Sequence, residues 1–213
     1  MSEFRILPRT LGVLYQGDGF TVQTYTGGLR KEVLTAGTVF FSVLEGHPRV
    51  NGHLLRPGMY GCVPRLVEFS CQEACRVAMI DDHAYPGIFM IGGPIEPVGR
   101  LRYMDGCTDT GIIAPLRLGD PCLNFLFFPP ETKQTRHTHP SDRIGAIFDG
   151  DGVCITPGKT TRMSQGDVFV IPTDAEHHFE TTSEHMRIIV FHPDSEFGPT
   201  DERHQMLEAT IMA

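Results

Sequence analysis

The chain has no tryptophan, no apolar run near the length of a membrane-spanning helix, and fewer basic than acidic residues. Each shortage excludes a class. With 18 Lys and Arg against 26 Asp and Glu, the net charge is −8. A nucleic-acid backbone or an anionic membrane surface is therefore a poor match as the main partner. The missing apolar run leaves no candidate transmembrane helix, and the opening Met1-Ser2-Glu3-Phe4-Arg5-Ile6-Leu7-Pro8 lacks the apolar core of a signal peptide. Sustained helical periodicity is also absent. The six cysteines are scattered, and Cys71 and Cys75 stand four apart, which is not the C-x2-C of a zinc ribbon or a dithiol redox site. They read as reduced, mostly buried thiols of a cytoplasmic protein.

What is present suits an all-β chain. Of 213 residues, 40% are apolar, which is enough for a packed core, and 23 glycines and 16 prolines supply turns. Short runs rich in β-branched and aromatic residues, bounded by turn formers, predict strands. They cover Phe20–Thr26, Thr38–Leu44, Leu66–Cys71, Cys75–Ile80, Leu123–Phe128, Gly145–Phe148, Asp167–Ile171, His177–Thr181 and Arg187–Phe191.

The two halves echo each other. Val43-Leu44-Glu45-Gly46 matches Ile147-Phe148-Asp149-Gly150, and Gly58 through Pro64 matches Gly166 through Pro172 with the same G-x5-P spacing. Asn51-Gly52 in the first half and Pro157-Gly158 in the second are hairpin signals between the matched pieces.

Against this background stand His137-Thr138-His139 and, 38 residues on, His177. Two histidines two apart project from one face if they lie on a strand. Three converging imidazoles make a metal site, because neutral imidazole binds borderline metals such as Fe(II), Ni(II), Zn(II) and Mn(II). By the offsets of the repeat, the counterparts of His137, His139, Arg143 and His177 are Val33, Thr35, Val39 and Phe69. None is a good ligand, so only the second half is expected to hold a metal. An Asp142 carboxylate three residues after His139 is a further candidate ligand, with Gln134 and Glu131 behind it. His185 and His192, near the last strand, are candidates for a barrel mouth; Tyr60 and Tyr103 are candidate donors that the sequence does not place.

The histidine pair, the spaced Gly150 and Gly166, Pro172 and His177 together resemble the cupin superfamily. Its first motif reads roughly G-x5-H-x-H-x3,4-E-x6-G and its second G-x5-P-x-G-x2-H. The resemblance covers about 70 residues strongly. Three positions depart: Glu131 stands at the opening glycine, Asp174 at the inner glycine of the second motif, and Arg143 at the glutamate ligand. The resemblance implies two tandem jelly-roll barrels: 1–83 metal-free, 84–110 a linker, 111–195 metal-binding, and 196–213 a tail.

Arg143 has three open placements: an anion clamp for substrate, a structural pair with an acid such as Asp142, or an outward position from slipped register. Three neutral histidines leave a divalent metal with its full charge, which favours an anionic or chelating substrate. The set is similar to three-histidine cupin dioxygenases, which implies Fe(II) ahead of Zn, Ni or Mn, and an oxygenase on a small anionic or enolisable molecule. Metal-assisted isomerase or lyase chemistry is the alternative within enzymes; a non-catalytic ligand-binding or structural bicupin is the alternative outside them. Exposed sheet edges make a homodimer an expectation as well.

Overall fold

The structure is a computed structural model that describes residues 3–10, 12–28, 30–117 and 119–194. The expected tail, 196–213, lies outside the described residues. The strands are β1 (Arg5–Ile6), β2 (Gly12–Gln16), β3 (Phe20–Tyr25), β4 (Lys31–Glu45), β5 (Arg49–Val50), β6 (His53–Leu54), β7 (Tyr60–Ser70), β8 (Arg76–Asp82) and β9 (Met90–Gly92). There follow β10 (Leu101–Arg102), β11 (Thr108–Ile113), β12 (Cys122–Phe128), β13 (Arg143–Thr156), β14 (Lys159–Ser164), β15 (Val168–Ile171), β16 (His178–Glu180) and β17 (Met186–His192). The single helical piece among the described residues is a 3-10 turn at Met104–Gly106.

Two antiparallel sheets result. One runs β2-β3-β8-β4-β7-β5-β6, with β9 on β7; the other runs β1-β15-β13-β17-β12-β11-β10, with β14 and β16 on β13. They are the tandem cupin barrels the sequence predicted. Period-2 alternation decides what each strand presents. Along β17, Ile189 and Phe191 join Phe40 and Phe20 in a core shared by the two sheets, with Phe191 5.1 Å from Phe40 and 5.7 Å from Phe20. Met186, Ile188 and Val190 turn the other way, into the second barrel with Phe169 and Phe179. The first barrel closes around a third cluster, including Val39, Phe41, Val63, Val67 and Phe69.

The halves repeat in conformation as well as in sequence. Gly46 and Gly150 both have positive φ (72° and 77°), each just past a register shift in its strand. Gly58 donates from its amide to Val43 O (3.1 Å), and Gly166 to Ile147 O (2.8 Å).

Two expectations differ. The stretch 84–110 is not a plain linker: it gives β9 to the first sheet, and β10 with the start of β11 to the second. The first residues do not stay with the first barrel either. β1 pairs with β15 of the second sheet, Leu7 N donates to Val168 O (2.8 Å), and Arg9 bridges Asp167 (2.9 Å). Both segments saturate sheet-edge hydrogen bonds that would otherwise be open. All six cysteines are free, and five are buried.

The two motif glycines replaced in this chain keep a glycine's backbone. Glu131 has φ 62° and Asp174 φ 57°. Aspartate is among the residues that tolerate this region; glutamate bears a penalty of about 1–2 kcal/mol there. Glu131→Gly is expected to raise stability by up to about 1 kcal/mol, part of the gain being lost to the greater freedom of glycine in the unfolded chain. Glu131→Val is expected to lower it by about 1 kcal/mol or more, since a β-branched residue fits this region worst. Urea midpoints of the two variants check the opposite signs.

Candidate metal centre

His137, His139 and His177 converge at one end of the second barrel. Their ligand atoms all lie within 4.8 Å of one another. Ring centroids are 4.9 Å apart for His137 and His139, 4.4 Å for His137 and His177, and 5.1 Å for His139 and His177. Three imidazoles around one ion at ~2.1 Å, with 90–110° between ligands, would space their centroids by roughly 4.5–5.2 Å. The spacings of 4.9 and 5.1 Å fall in that range and the 4.4 Å spacing lies at its lower edge, so the residues present fit a three-histidine metal.

The local structure differs from the expected strand. His137 and His139 lie in an irregular extended segment before β13, and His177 precedes β16 rather than opening it. What aligns them is a two-way main-chain bridge: His137 N donates to His177 O (3.0 Å) and His177 N to His137 O (3.1 Å). Asp174 N, in its left-handed conformation, donates to His139 O (2.9 Å) and ties the third histidine to the same turn.

Their protonation is set by the surroundings. His137 Nδ1 pairs with Thr135 O (2.8 Å) and His177 Nδ1 with Ala175 O (2.9 Å). A carbonyl only accepts, so both Nδ1 atoms carry hydrogen and each Nε2 keeps its lone pair. His177 Nε2 is buried without a hydrogen-bond partner among the described residues, as a ligand atom awaiting a cation would be. Burial pushes the His177 imidazole down to about 4. His139 goes further, to about 2, through burial and then the charge of Arg143. Neutral imidazoles are the form a metal needs.

Arg143 opens β13 and is 2% exposed. It lines the same cavity as His137 and His139, so the outward placement is excluded. Its Nη1 donates to Ser141 O (3.0 Å), Ser141 Oγ (2.6 Å) and Asp142 O (3.1 Å). Burial lowers its pKa to about 10, which leaves it cationic at neutral pH. The Asp142 carboxylate is engaged elsewhere: Oδ2 accepts from Tyr15 (2.6 Å) and Oδ1 from Thr173 N and Oγ1 (2.9 and 3.1 Å). It is therefore no fourth ligand, while its charge, after that of Asp194, still acts on Arg143. Gln134 Oε1 is taken by Phe179 N (3.2 Å), and Glu131 is exposed. Glu176 pairs with Arg136 at the surface, as a solvated turn residue does.

Of the other histidines, His192 lines the cavity, whereas His185 pairs with Asp149 outside it (2.9 Å) and His178 faces Glu180 (3.5 Å). Tyr103 lines the cavity too; Tyr60 does not. Two inward polar residues were not singled out in the sequence. Asn124 on β12 and Asp109 on β11 are 5% and 2% exposed, and Asn124 Nδ2 donates to Asp109 Oδ2 (3.1 Å). Asn124 was legible as the one polar residue in Cys122-Leu-Asn-Phe-Leu-Phe-Phe128. Asp109 was hidden because its segment read as a connection.

Residues 124–192 match the cupin domain family. No curated protein matches the chain in sequence. Among solved structures, a cupin 2 conserved barrel domain protein from Leptotrichia buccalis superposes with a TM-score of 0.62 at 12% identity, over 89% of this chain and 88% of that one. Salicylate 1,2-dioxygenase from Pseudaminobacter salicylatoxidans gives 0.62 at 14% identity, over 84% and 72%. A variant of that enzyme in complex with gentisate gives 0.61 at 15%, over 89% and 74%. At such identities the likeness is one of fold. Residues 124–192 carry a cupin domain, and the chain has the cupin fold over most of its length.

Proposed function

We propose that the second barrel is a metal-dependent enzyme site for a small organic anion, with His137, His139 and His177 as the protein ligands. The observation that carries this reading is the buried, unpartnered Nε2 of His177, set among three imidazoles whose spacing fits one ion. Three protein ligands and no carboxylate leave open coordination positions, the mark of a catalytic rather than a structural site. Fe(II) is the favoured metal. It would supply Lewis acidity and one-electron chemistry toward dioxygen; Zn(II) would supply the first alone.

The chain's own residues do the rest. Arg143 draws an anion into the barrel and keeps His139 neutral. The Phe128, Phe169 and Phe179 rings and Ile188 exclude water. Asn124, Tyr103 and Asp109 offer directional hydrogen bonds on a wall of the same cavity. The fold neighbour named as a salicylate 1,2-dioxygenase supports oxygenase chemistry as the first class to try. We read 1–83 as a metal-free barrel, because Val39, Val63, Val67 and Phe69 fill its interior. The buried free thiols suit a reducing compartment, in keeping with a cytoplasmic location.

The test is the metal content of protein purified without oxygen, beside His137→Ala/His139→Ala. About one iron per chain in the parent and none in the variant is the expected result, followed by oxygen uptake with small acids or diketones. Zinc or nickel at the same stoichiometry would move the reading to isomerase or lyase chemistry. No metal in the parent, even after reconstitution, would sink the enzyme reading and leave a small-ligand barrel.

A further inference from the structure

The two segments that carry the histidines are joined by a side chain where main-chain pairing stops. β13 and β15 pair from Ala146 and Val168 to Arg143 and Ile171. Pairing resumes only at the bridge between His137 and His177. Pro172 stands at the start of the gap and has no N–H to continue the ladder. The Asp142 carboxylate takes over there: Oδ1 accepts from Thr173 N (2.9 Å) and Thr173 Oγ1 (3.1 Å). The next residue, Asp174, donates its N–H to His139 O (2.9 Å). On the main-chain side, Asp142 O accepts from Arg143 Nη1 (3.1 Å). Asp142 thus ties the segment of His137 and His139 to the loop that leads to His177, and both to Arg143.

Asp142 is itself held from the first barrel. Tyr15 Oη donates to Oδ2 at 2.6 Å, the short distance of a charge-assisted bond. Tyr15 lies on β2, an edge strand of the first sheet. A register shift between Val13 and Tyr15 leaves Leu14 unpaired, and both Leu14 and Tyr15 pack on the core shared by the two barrels. Strict alternation would turn one of them away, so the bulge is what aims Tyr15 at the second barrel. Its ring meets Phe20 (6.1 Å between centroids) and the Arg5 guanidinium (4.9 Å). Burial and then Asp142 push its pKa up to about 12, so it stays a donor at neutral pH.

Resting on the reading of His137, His139 and His177 as metal ligands, we infer that Tyr15 is a positioning residue of the metal centre. Acting through Asp142, it fixes the two histidine segments against each other before an ion arrives, and so raises the affinity for the ion. Ligands held in place beforehand bind more tightly, because less ordering accompanies binding. Without the Tyr15 hydroxyl, the Asp142 carboxylate is held by Thr173 alone, and the two segments separate more easily. The metal-free barrel therefore has a part in the site: it supplies the outer anchor.

The experiment measures the dissociation constant of Co(II), and its visible absorption, for the full chain, Tyr15→Phe, Asp142→Ala and the double variant. Urea unfolding of the metal-free proteins is read alongside. Tyr15→Phe is expected to bind Co(II) about tenfold more weakly, the lower end of what partners of metal ligands contribute. Its Co(II) bands are expected to shift, because the ligand positions relax. A tie that only stabilised the fold would lower the urea midpoint and leave the constant and the bands as they are. In the Asp142→Ala background, Tyr15→Phe is expected to change the constant by less than about twofold, since the route through Asp142 is gone. An unchanged constant and spectrum in Tyr15→Phe would overturn the proposal, and so would an undiminished effect in the Asp142→Ala background. If Asp142→Ala does not fold, the constant and spectrum of Tyr15→Phe decide alone. A parent that takes up no Co(II) would overturn the metal reading and this proposal together, whereas a parent that binds it beside unaffected variants would overturn this proposal alone.

Discussion

Adding Fe(II) or Zn(II) to the metal-free chain at a hundredfold excess over Kd should stabilise it by about 2.7 kcal/mol. For a chain of this size that is a rise of about 5–10 °C in the unfolding temperature. His177→Ala should abolish the rise. His177 is the informative position because its side chain and its backbone do separate jobs. The backbone bridge between His137 and His177 needs only N–H and C=O groups, so it survives truncation at Cβ. The imidazole contributes the buried Nε2 and packs on Phe179 at 5.5 Å. The variant should therefore stay folded and lose only the response to metal. Differential scanning fluorimetry with and without metal reads this directly. A rise of equal size in His177→Ala would mean that the ion binds elsewhere.

The second large effect concerns Asp109 in the metal-free chain. Burial raises its carboxyl from 3.8 to about 6, against hydrogen bonds from the Asn124 side chain and the Thr110 backbone. Below 3.8 the group is protonated in folded and unfolded chains alike, and it imposes no pH-dependent cost. Between 3.8 and about 6 the unfolded chain has released a proton that the folded chain still holds, so stability falls as pH rises. Above about 6 the full cost is present. At 1.36 kcal/mol per pH unit it amounts to about 3 kcal/mol. Asp109→Asn cannot ionise and keeps an oxygen for Asn124. The variant should gain on the parent by about 2.4 kcal/mol between pH 4 and pH 7.5 in urea unfolding, since about 0.6 kcal/mol of the cost is already present at pH 4. Tyr103 and Cys122, both near 12, and Arg143, near 10, hold constant charge across that window. A difference between variant and parent that does not change with pH would show that the carboxyl is not destabilised by burial. A site residue that weakens the fold it sits in is a familiar cost of function.

Much of this molecule was readable along the chain because the signals are local. Alternation of apolar residues placed most strands, since side chains on a strand point to opposite faces in turn. Gly46, Gly58, Gly150 and Gly166 announced turns that need positive φ, and all four have it. The spacing of His137, His139 and His177 identified the residues that the fold brings together. Glu131 and Asp174 looked like departures, yet each adopts the conformation of the glycine it stands for. A main chain held on both sides by pairing can impose that conformation, and no pattern in the sequence states it.

Only the tertiary structure decided the rest. Nothing local says that Arg5–Ile6 will cross to β15, because the choice between two open sheet edges is made by long-range pairing. Nor does the sequence show that Asp142 turns to Tyr15, 127 residues away, while Arg143 beside it lines the cavity of His137 and His139. Asp109 and Asn124 meet because Gly111 pairs with Asn124 across two antiparallel strands, one of which reads as a connection in the sequence. The chain itself determined that three histidines would be available to a metal. Which acid and which cation would share their cavity was set by strand register, which exists only once the barrel has closed.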